Sequence, residues 1–325
     1  MKKREIQRTV QYWRLVNANG SSPVAEQNWG EIFKNAYGKP KTYRVLDKDI
    51  TCNVVTLDIR DEWKDFVPPT GMAGVIPWSD GAIYGLTVST DKDHVPNQGN
   101  HKSGVQQPMG LNKGFVPIDN LFVWFLPFGN MFGIMMENIS AARPRLFAQW
   151  LTMLMRDQGV LPQHNLLWDA APVVDLERKQ ALKKAHNLKS ILVAGTVQPQ
   201  QTSSLHEIFG GPEFEGTYQV QFKIKALKKG KPKAYAHDTA KMKQWFDSTF
   251  GGQFAGLSTA RIQFVPGNDA LPVGEIDLLQ HRLTRKRSVM MRPGPAQAFV
   301  ASSALAEIVN AYVVDFDELE KLRKS

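Results

Sequence analysis

Two apolar runs, Leu121–Phe128 and Met131–Met136, stand almost back to back, parted only by Gly129-Asn130. Glycine and asparagine tolerate the backbone of a tight turn, so the pair reads as a β-hairpin with a two-residue II′ turn. Neither run alternates between apolar and polar residues. A strand with one wet face alternates, so this hairpin must be central and covered on both sides. It is also the one stretch that raises the question of a membrane span. Pro127 and Gly129 interrupt it, and a spanning helix needs roughly 20 unbroken apolar residues. The charged start, Met1-Lys2-Lys3-Arg4-Glu5, is not followed by an apolar signal core. We therefore expect no membrane insertion and a cytoplasmic location.

Covering layers are easy to find. After Pro144, which suits a first helical turn, Leu146, Trp150 and Leu154 recur every four residues with Phe147, Leu151 and Met155 beside them. A later helix carries Ala301, Leu305, Ile308, Val309 and Tyr312 on one side. Asp315 with Glu318 then resembles a capping box that opens a last short helix. Shorter helical patterns span Asn28–Ala36, Leu176–Asn187 and Thr239–Phe250, the last with Met242, Trp245, Phe246 and Phe250 inward. Strand patterns cover Thr9–Val16, Thr42–Leu46, Asn53–Ile59, Ala82–Val88, Leu166–Val174, Lys189–Val197, Tyr218–Lys225, Arg261–Val265, Glu275–Leu283 and Arg287–Met291. In Asn53–Ile59, Val55, Leu57 and Ile59 fall on one face, Thr56 and Asp58 on the other.

Hairpins outnumber parallel crossovers, so the expected fold is α+β, with mainly antiparallel sheets packed by helices. At 325 residues two domains are expected. Gln198 to Ser204 has the composition of a connector, which gives an N-terminal domain of residues 1–198 and a basic C-terminal domain of residues 199–325. The polar stretch 91–118 is too long for a plain connection and reads as a functional loop or a disordered one.

Charge is the strongest functional signal. The chain carries a formal net charge of +9, and it is unevenly spread. Lys223, Lys225, Lys228, Lys229, Lys231, Lys233, Lys241 and Lys243 fall within one short stretch, against the single acid Asp238. Tyr218, Val220, Phe222 and Ile224 alternate there with Gln219, Gln221, Lys223 and Lys225, so Lys223 and Lys225 share the wet face of a strand. A turn rich in lysine follows, with Gly230 and Pro232 keeping Lys228, Lys229, Lys231 and Lys233 exposed. A second group, Arg282, Arg285, Lys286 and Arg287 with Arg292 beyond, is expected at a turn between later strands. Such clusters suffice for sequence-independent binding of phosphates. Solvated tips, or a face for an acidic protein, are the competing readings.

Enzyme classes narrow by what is missing. Cys52 is the only cysteine, so neither an internal disulfide nor a Cys-rich zinc site can form, and its strand-like surroundings suggest an inert buried thiol. His206-Glu207 lacks a second histidine at zinc-protease spacing. Gly99-Asn100-His101-Lys102-Ser103 lacks the glycine a P-loop needs before its lysine. His94 and His101 lie in one polar loop, where solvated histidines are the rule. No Gly-x-Ser-x-Gly elbow or Gly-x-Gly-x-x-Gly fingerprint occurs. The sharpest catalytic alternative is a Mg²⁺-dependent nuclease of the restriction type. There Glu213 (or Glu215) would precede Gln221-Phe222-Lys223, with carboxylates holding the metal and Lys223 steadying developing charge. The middle acidic ligand of that pattern is absent.

The layout offers a last pointer. Phe122-Val123-Trp124-Phe125, Phe132-Gly133-Ile134-Met135, Phe147-Ala148-Gln149-Trp150-Leu151 and the run Glu275-Ile276-Asp277-Leu278-Leu279 before Arg285-Lys286-Arg287 follow one another. In this order the chain resembles bacterial anti-phage defence proteins, loosely the DNA-binding subunit of Kiwa-type systems. That resemblance implies DNA binding in defence and assigns no site residues. The reading that emerges is a non-enzymatic, sequence-tolerant nucleic-acid-binding protein, with DNA the first expectation. It needs no cofactor or metal, Mg²⁺ entering only under the nuclease alternative. A protein partner or a second copy of the chain stays open.

Overall fold

The apolar hairpin lies in the middle of an eight-stranded antiparallel sheet. In the computed structural model the described residues are 4–17, 24–57, 83–92, 97–99, 106–108, 110, 115–127, 130–138, 140–162, 167–175, 180, 182, 185–197, 218–227, 232–250, 257–265, 275–278, 283–292 and 298–324. The N-terminal elements are β1 (Glu5–Val16), α1 (Trp29–Ala36), β2 (Lys41–Val45), β3 (Lys48–Leu57), β4 (Ile83–Asp91), β5 (Asn97–Gly99), β6 (Gln106–Pro108), β7 (Ile118–Phe125) and β8 (Met131–Met136). After them come α2 (Pro144–Asp157), β9 (Asp169–Pro172), β10 (Leu188–Val197), β11 (Tyr218–Lys225), α3 (Pro232–Phe250), β12 (Leu257–Phe264), β13 (Glu275–Asp277), β14 (Thr284–Met290) and α4 (Ala301–Lys324).

The large sheet runs β14-β1-β8-β7-β4-β3-β2, and β9 also pairs with β1. Leu121, Val123, Phe125, Phe132 and Ile134 face α1 and α2, where Trp29, Phe33, Phe147, Trp150 and Leu154 meet them. Phe122, Trp124, Met131 and Met135 face the other way, against Leu305, Ile308, Val309 and Tyr312 of α4. Both faces of the hairpin are thus buried, as its unbroken apolar runs demand. In β3 the burial alternates: Asp49, Asn53 and Thr56 are exposed, the last as the sequence suggests. Val55 and Leu57 lie on the α4 side, while Ile50, Cys52 and Val54 fill the opposite core.

The approach of α4 is close at two glycines. A Cβ at Gly133 would stand 2.5 Å from the Cγ2 of Ile308, and one at Gly85 would stand 2.8 Å from a Leu305 methyl. Real Cβ atoms do not sit so near a neighbour, so the absence of a side chain sets the helix-to-sheet distance. A buried polar contact fixes its register. Tyr12 donates its hydroxyl to the Asp315 carboxylate (3.1 Å), and Arg285 donates to the same group from β14. Burial, with the nearby Asp315 charge, pushes the Tyr12 phenol far up, which keeps it a donor. The capping box expected at Asp315 and Glu318 is therefore absent. α4 runs unbroken through both residues, and the Asp315 side chain points into the core.

The hairpin turn also differs from expectation. The Leu126 N–H donates to the Met131 carbonyl (2.9 Å), so the connection spans more than two residues. Asn130 takes a left-handed conformation (φ 49°) and is buried. Its side chain accepts from Trp29 Nε1 (3.0 Å) and donates to the Val24 carbonyl (2.6 Å). A turn residue has become the anchor for the segment entering α1. In the polar stretch 91–118, β5 and β6 pair as a short ribbon; His94 and His101 lie outside the described residues.

A second, four-stranded antiparallel sheet has the order β11-β10-β12-β13 and packs on α3 through Ile191, Val193, Ile262, Met242 and Phe246. Strand pairing does not divide at 198/199. β10, from before that point, is central in the smaller sheet, whereas β14 and α4 return to the larger one. The cause lies in β1, whose edge needs a partner along Glu5–Gln11 and finds it in Thr284–Met290. The strand expected over Glu275–Leu283 is described only for Glu275–Asp277. Most of the helix expected over Leu176–Asn187, and the connector 198–204, lie outside the described residues, though Leu182 and Ala185 are buried.

Filling the closest approach should be costly. Gly133→Ala is expected to lower unfolding stability in urea by about 1–3 kcal/mol through overpacking against Ile308. Gly85→Ala should cost less, because the methyls of Leu305 can turn aside.

Candidate nucleic-acid interface

The alternation read from Tyr218–Lys225 is realised in β11. Gln219, Gln221, Lys223 and Lys225 are exposed, while Val220, Phe222 and Ile224 are half-buried against the small-sheet core. Phe222 packs on Trp245 of α3 (5.5 Å between ring centroids), and Phe246 is fully buried. These aromatics serve the core. Among the described residues, no carboxylate lies within ion-pair distance of Lys223 or Lys225.

Cross-strand register shows what else shares this face. Lys223 lies opposite Leu192, which lies opposite Arg261, which lies opposite Asp277. Lys225, Ser190, Gln263 and Glu275 form the next row. Along the central strand β10, Ser190 and Ala194 are buried and Leu192 is half-buried, so short or shielded residues form a floor. Longer polar and basic side chains rise from β11 on one side and β12 on the other. Neighbouring strands lie ~4.8 Å apart, so the two walls stand ~9.6 Å apart. Arg261 donates from Nε to Asp277 (3.1 Å) yet keeps 43% of its side chain exposed. Sequence reasoning missed Arg261 as a site residue, because only the register of three strands brings it to Lys223.

Lys233 departs from expectation. α3 begins at Pro232, so Lys233 stands in the first helical turn and is exposed, not in a free turn. That turn holds no acidic residue. A cation there opposes the helix dipole, so the helix carries it at some cost. Lys228, Lys229 and Lys231, which precede it, lie outside the described residues, as do Arg282 and Glu213. Lys243 is buried and ion-paired with Asp247, which removes it from the basic surface. His186, Gln244 and Ser248 line a shallow cleft around that pair.

The second basic group is not in a turn. Arg285, Lys286 and Arg287 lie within β14, on the large sheet, because β14 is drawn along β1. Arg285 and Arg287 are committed to α4: the first holds Asp315, and the second donates to the Asn310 carbonyl (3.1 Å) beside Glu307. Only Lys286 is both exposed and on the opposite face, paired across from Thr9. The structure thus separates the two basic groups: Lys223 and Lys225 lie on one sheet, Arg285 and Arg287 on another.

Gln221 and Lys223 do share the exposed face of β11, as the nuclease alternative requires. Among the described residues, no three His, Cys, Asp or Glu side chains gather to hold a metal ion. Cys52 is buried at 2% exposure, and burial pushes its thiol well up, so it is no nucleophile. Also among the described residues, no helix is long and apolar enough to cross a membrane.

Substitution should tell the two basic groups apart. Arg285→Gln leaves the Asp315 carboxylate buried without its cation and is expected to cost about 2 kcal/mol or more in unfolding experiments. It should leave nucleic-acid affinity and its salt dependence unchanged, because Arg285 lies on the α4 side of the large sheet and not on the sheet that carries Lys223 and Lys225. The protein's relatives offer no shortcut: no protein-family model matches the chain, and no curated protein matches it either.

Proposed function

We propose that the protein is a non-enzymatic, sequence-tolerant nucleic-acid-binding protein that works through the basic face of β11 and the segment after it. One observation carries this reading. Lys223 and Lys225 share an exposed strand face with no carboxylate partner among the described residues, and the lysines at 228, 229, 231 and 233 follow at once. Several other cations of the described residues are ion-paired: Lys92 to Asp119, Arg145 to Asp169 and Arg285 to Asp315. An exposed, unpaired cation costs little to bring to a phosphate, and it gains by releasing the counterions condensed there.

Lys233 adds independent support. A helix is served best by an acid in its first turn, and this one has Lys233 instead. Residues that work against local stability are the usual mark of a site kept for binding. Phosphate contacts position a ligand without reading its bases, so sequence tolerance follows from the same residues. The resemblance in layout to Kiwa-type defence proteins supports anti-phage defence as the setting, with invading DNA as the ligand.

Titration of a labelled DNA with salt tests the proposal. Each phosphate contact adds about 0.9 to the log–log slope on duplex DNA. Replacing both Lys223 and Lys225 with Gln should flatten the slope by about 1.8 and weaken binding equally for unrelated sequences. No binding by the wild-type protein would overturn the reading and favour an acidic protein partner for this face. Mg²⁺-dependent digestion of the DNA would overturn its non-enzymatic part. Lys233→Glu should show the opposing effects at one position, raising stability by about 0.3–1 kcal/mol while weakening DNA binding.

A further inference from the structure

From the shape of the small sheet's outer face we infer that its ligand is a double helix, gripped by one sugar–phosphate strand, and that Arg261 is a contact residue. This rests on the nucleic-acid reading above and narrows it. The face is a shallow trough, with Ser190, Leu192 and Ala194 on its floor, Lys223 and Lys225 along one wall and Arg261 with Gln263 along the other. Lys223 and Lys225 stand ~6.8 Å apart along β11, and Arg261 stands ~9.6 Å across from Lys223. A phosphate ridge lying between the walls meets a cation from each side.

The floor decides between single strands and duplexes. Proteins that hold single strands without sequence preference stack the splayed bases on exposed aromatic rings. In this trough the described side chains are Lys, Arg, Gln, Asp, Ser, Leu and Ala, with no ring among them. Phe222 and Trp245 pack against each other, their rings tilted, on the far side of the sheet. Unstacked bases therefore gain no stacking from these described side chains, while a duplex keeps its bases inside and offers only the ridge. Two strands also carry a denser charge than one, which strengthens counterion release.

Asp277 tunes the grip. It is the acid at the end of the Lys223 row, only 13% of its side chain is exposed, and it holds the guanidinium of Arg261. A phosphate approaching Arg261 competes with that carboxylate and is repelled by it. Removing its charge should help binding, an outcome that a purely structural pair would not give.

Fluorescence anisotropy of the full chain with three probes decides the matter: a duplex DNA of mixed sequence, one of its single strands, and a duplex RNA of the same length. The duplexes should bind about tenfold more tightly than the single strand at moderate salt. Arg261→Gln should flatten the slope on duplex DNA by about 0.9, and Asp277→Asn should tighten duplex binding several-fold. Thermal melts of both variants show whether they fold, and Asp277→Asn keeps Arg261 in place should the first variant not fold. A single strand bound as tightly as the duplexes overturns the inference while leaving the nucleic-acid reading intact. So do weaker duplex binding by a folded Asp277→Asn and an unchanged slope in a folded Arg261→Gln. Binding to none of the three probes removes the nucleic-acid reading itself, and this inference with it.

Discussion

Everything in the larger half of the structure depends on how near α4 can come to the sheet. Gly133 and Gly85 leave room where Ile308 and Leu305 descend, and the helix lies down along β7, β8 and β14. Apolar burial supplies the attraction, but it is non-directional and does not choose a register. The choice falls to Asp315. A carboxylate taken out of water must find strong donors, and Tyr12 with Arg285 supplies them from two neighbouring strands. Glycines set the height of the helix above the sheet, and the Asp315 contact sets its position along it.

The same economy explains the division of positive charge. β14 is the edge strand beside β1, and its inward arginines have carboxylates and a carbonyl of α4 within reach. β11 is an edge strand too, but its outward lysines face no acid among the described residues. Two basic segments of similar composition thus have different surroundings. One is internal mortar; the other stands exposed at Lys223 and Lys225. Charge counting along the chain cannot separate them, since the difference lies in what each segment is laid against.

What was legible in the sequence was whatever is local and periodic. Phe122 to Phe125 and Met131 to Met136 announced a covered hairpin, the spacing of Leu146, Trp150 and Leu154 announced α2, and Gln219 to Lys225 announced a wet strand face. Misreadings arose where a distant partner overrode a local signal. Asp315 with Glu318 has the form of a cap, but the donor to Asp315 stands at Tyr12, 303 residues away. Gly129-Asn130 has the form of a two-residue turn, but Asn130 is claimed by Trp29 and Val24. Arg261 belongs to a row whose other members come from β10, β11 and β13, and no single window of sequence contains them.

The path of β1 has a consequence for how the chain folds. Its residues pair successively with segments near 131–135, 169–172 and 284–290, and Tyr12 then waits for Asp315. During synthesis the first strand emerges long before most of its partners exist. Until α4 is made, the apolar face of Phe122, Trp124, Met131 and Met135 has nothing to cover it. The small sheet, whose strands are formed from residues 188–277, has its strand partners sooner and can assemble while β1 is still incomplete. Domains that wait in this way expose strand edges and apolar surface, the conditions under which nascent chains aggregate or enlist chaperones. A ribosome pausing between β13 and α4 would hold the molecule in its most vulnerable form: one half closed, the other an open sandwich lacking a slice.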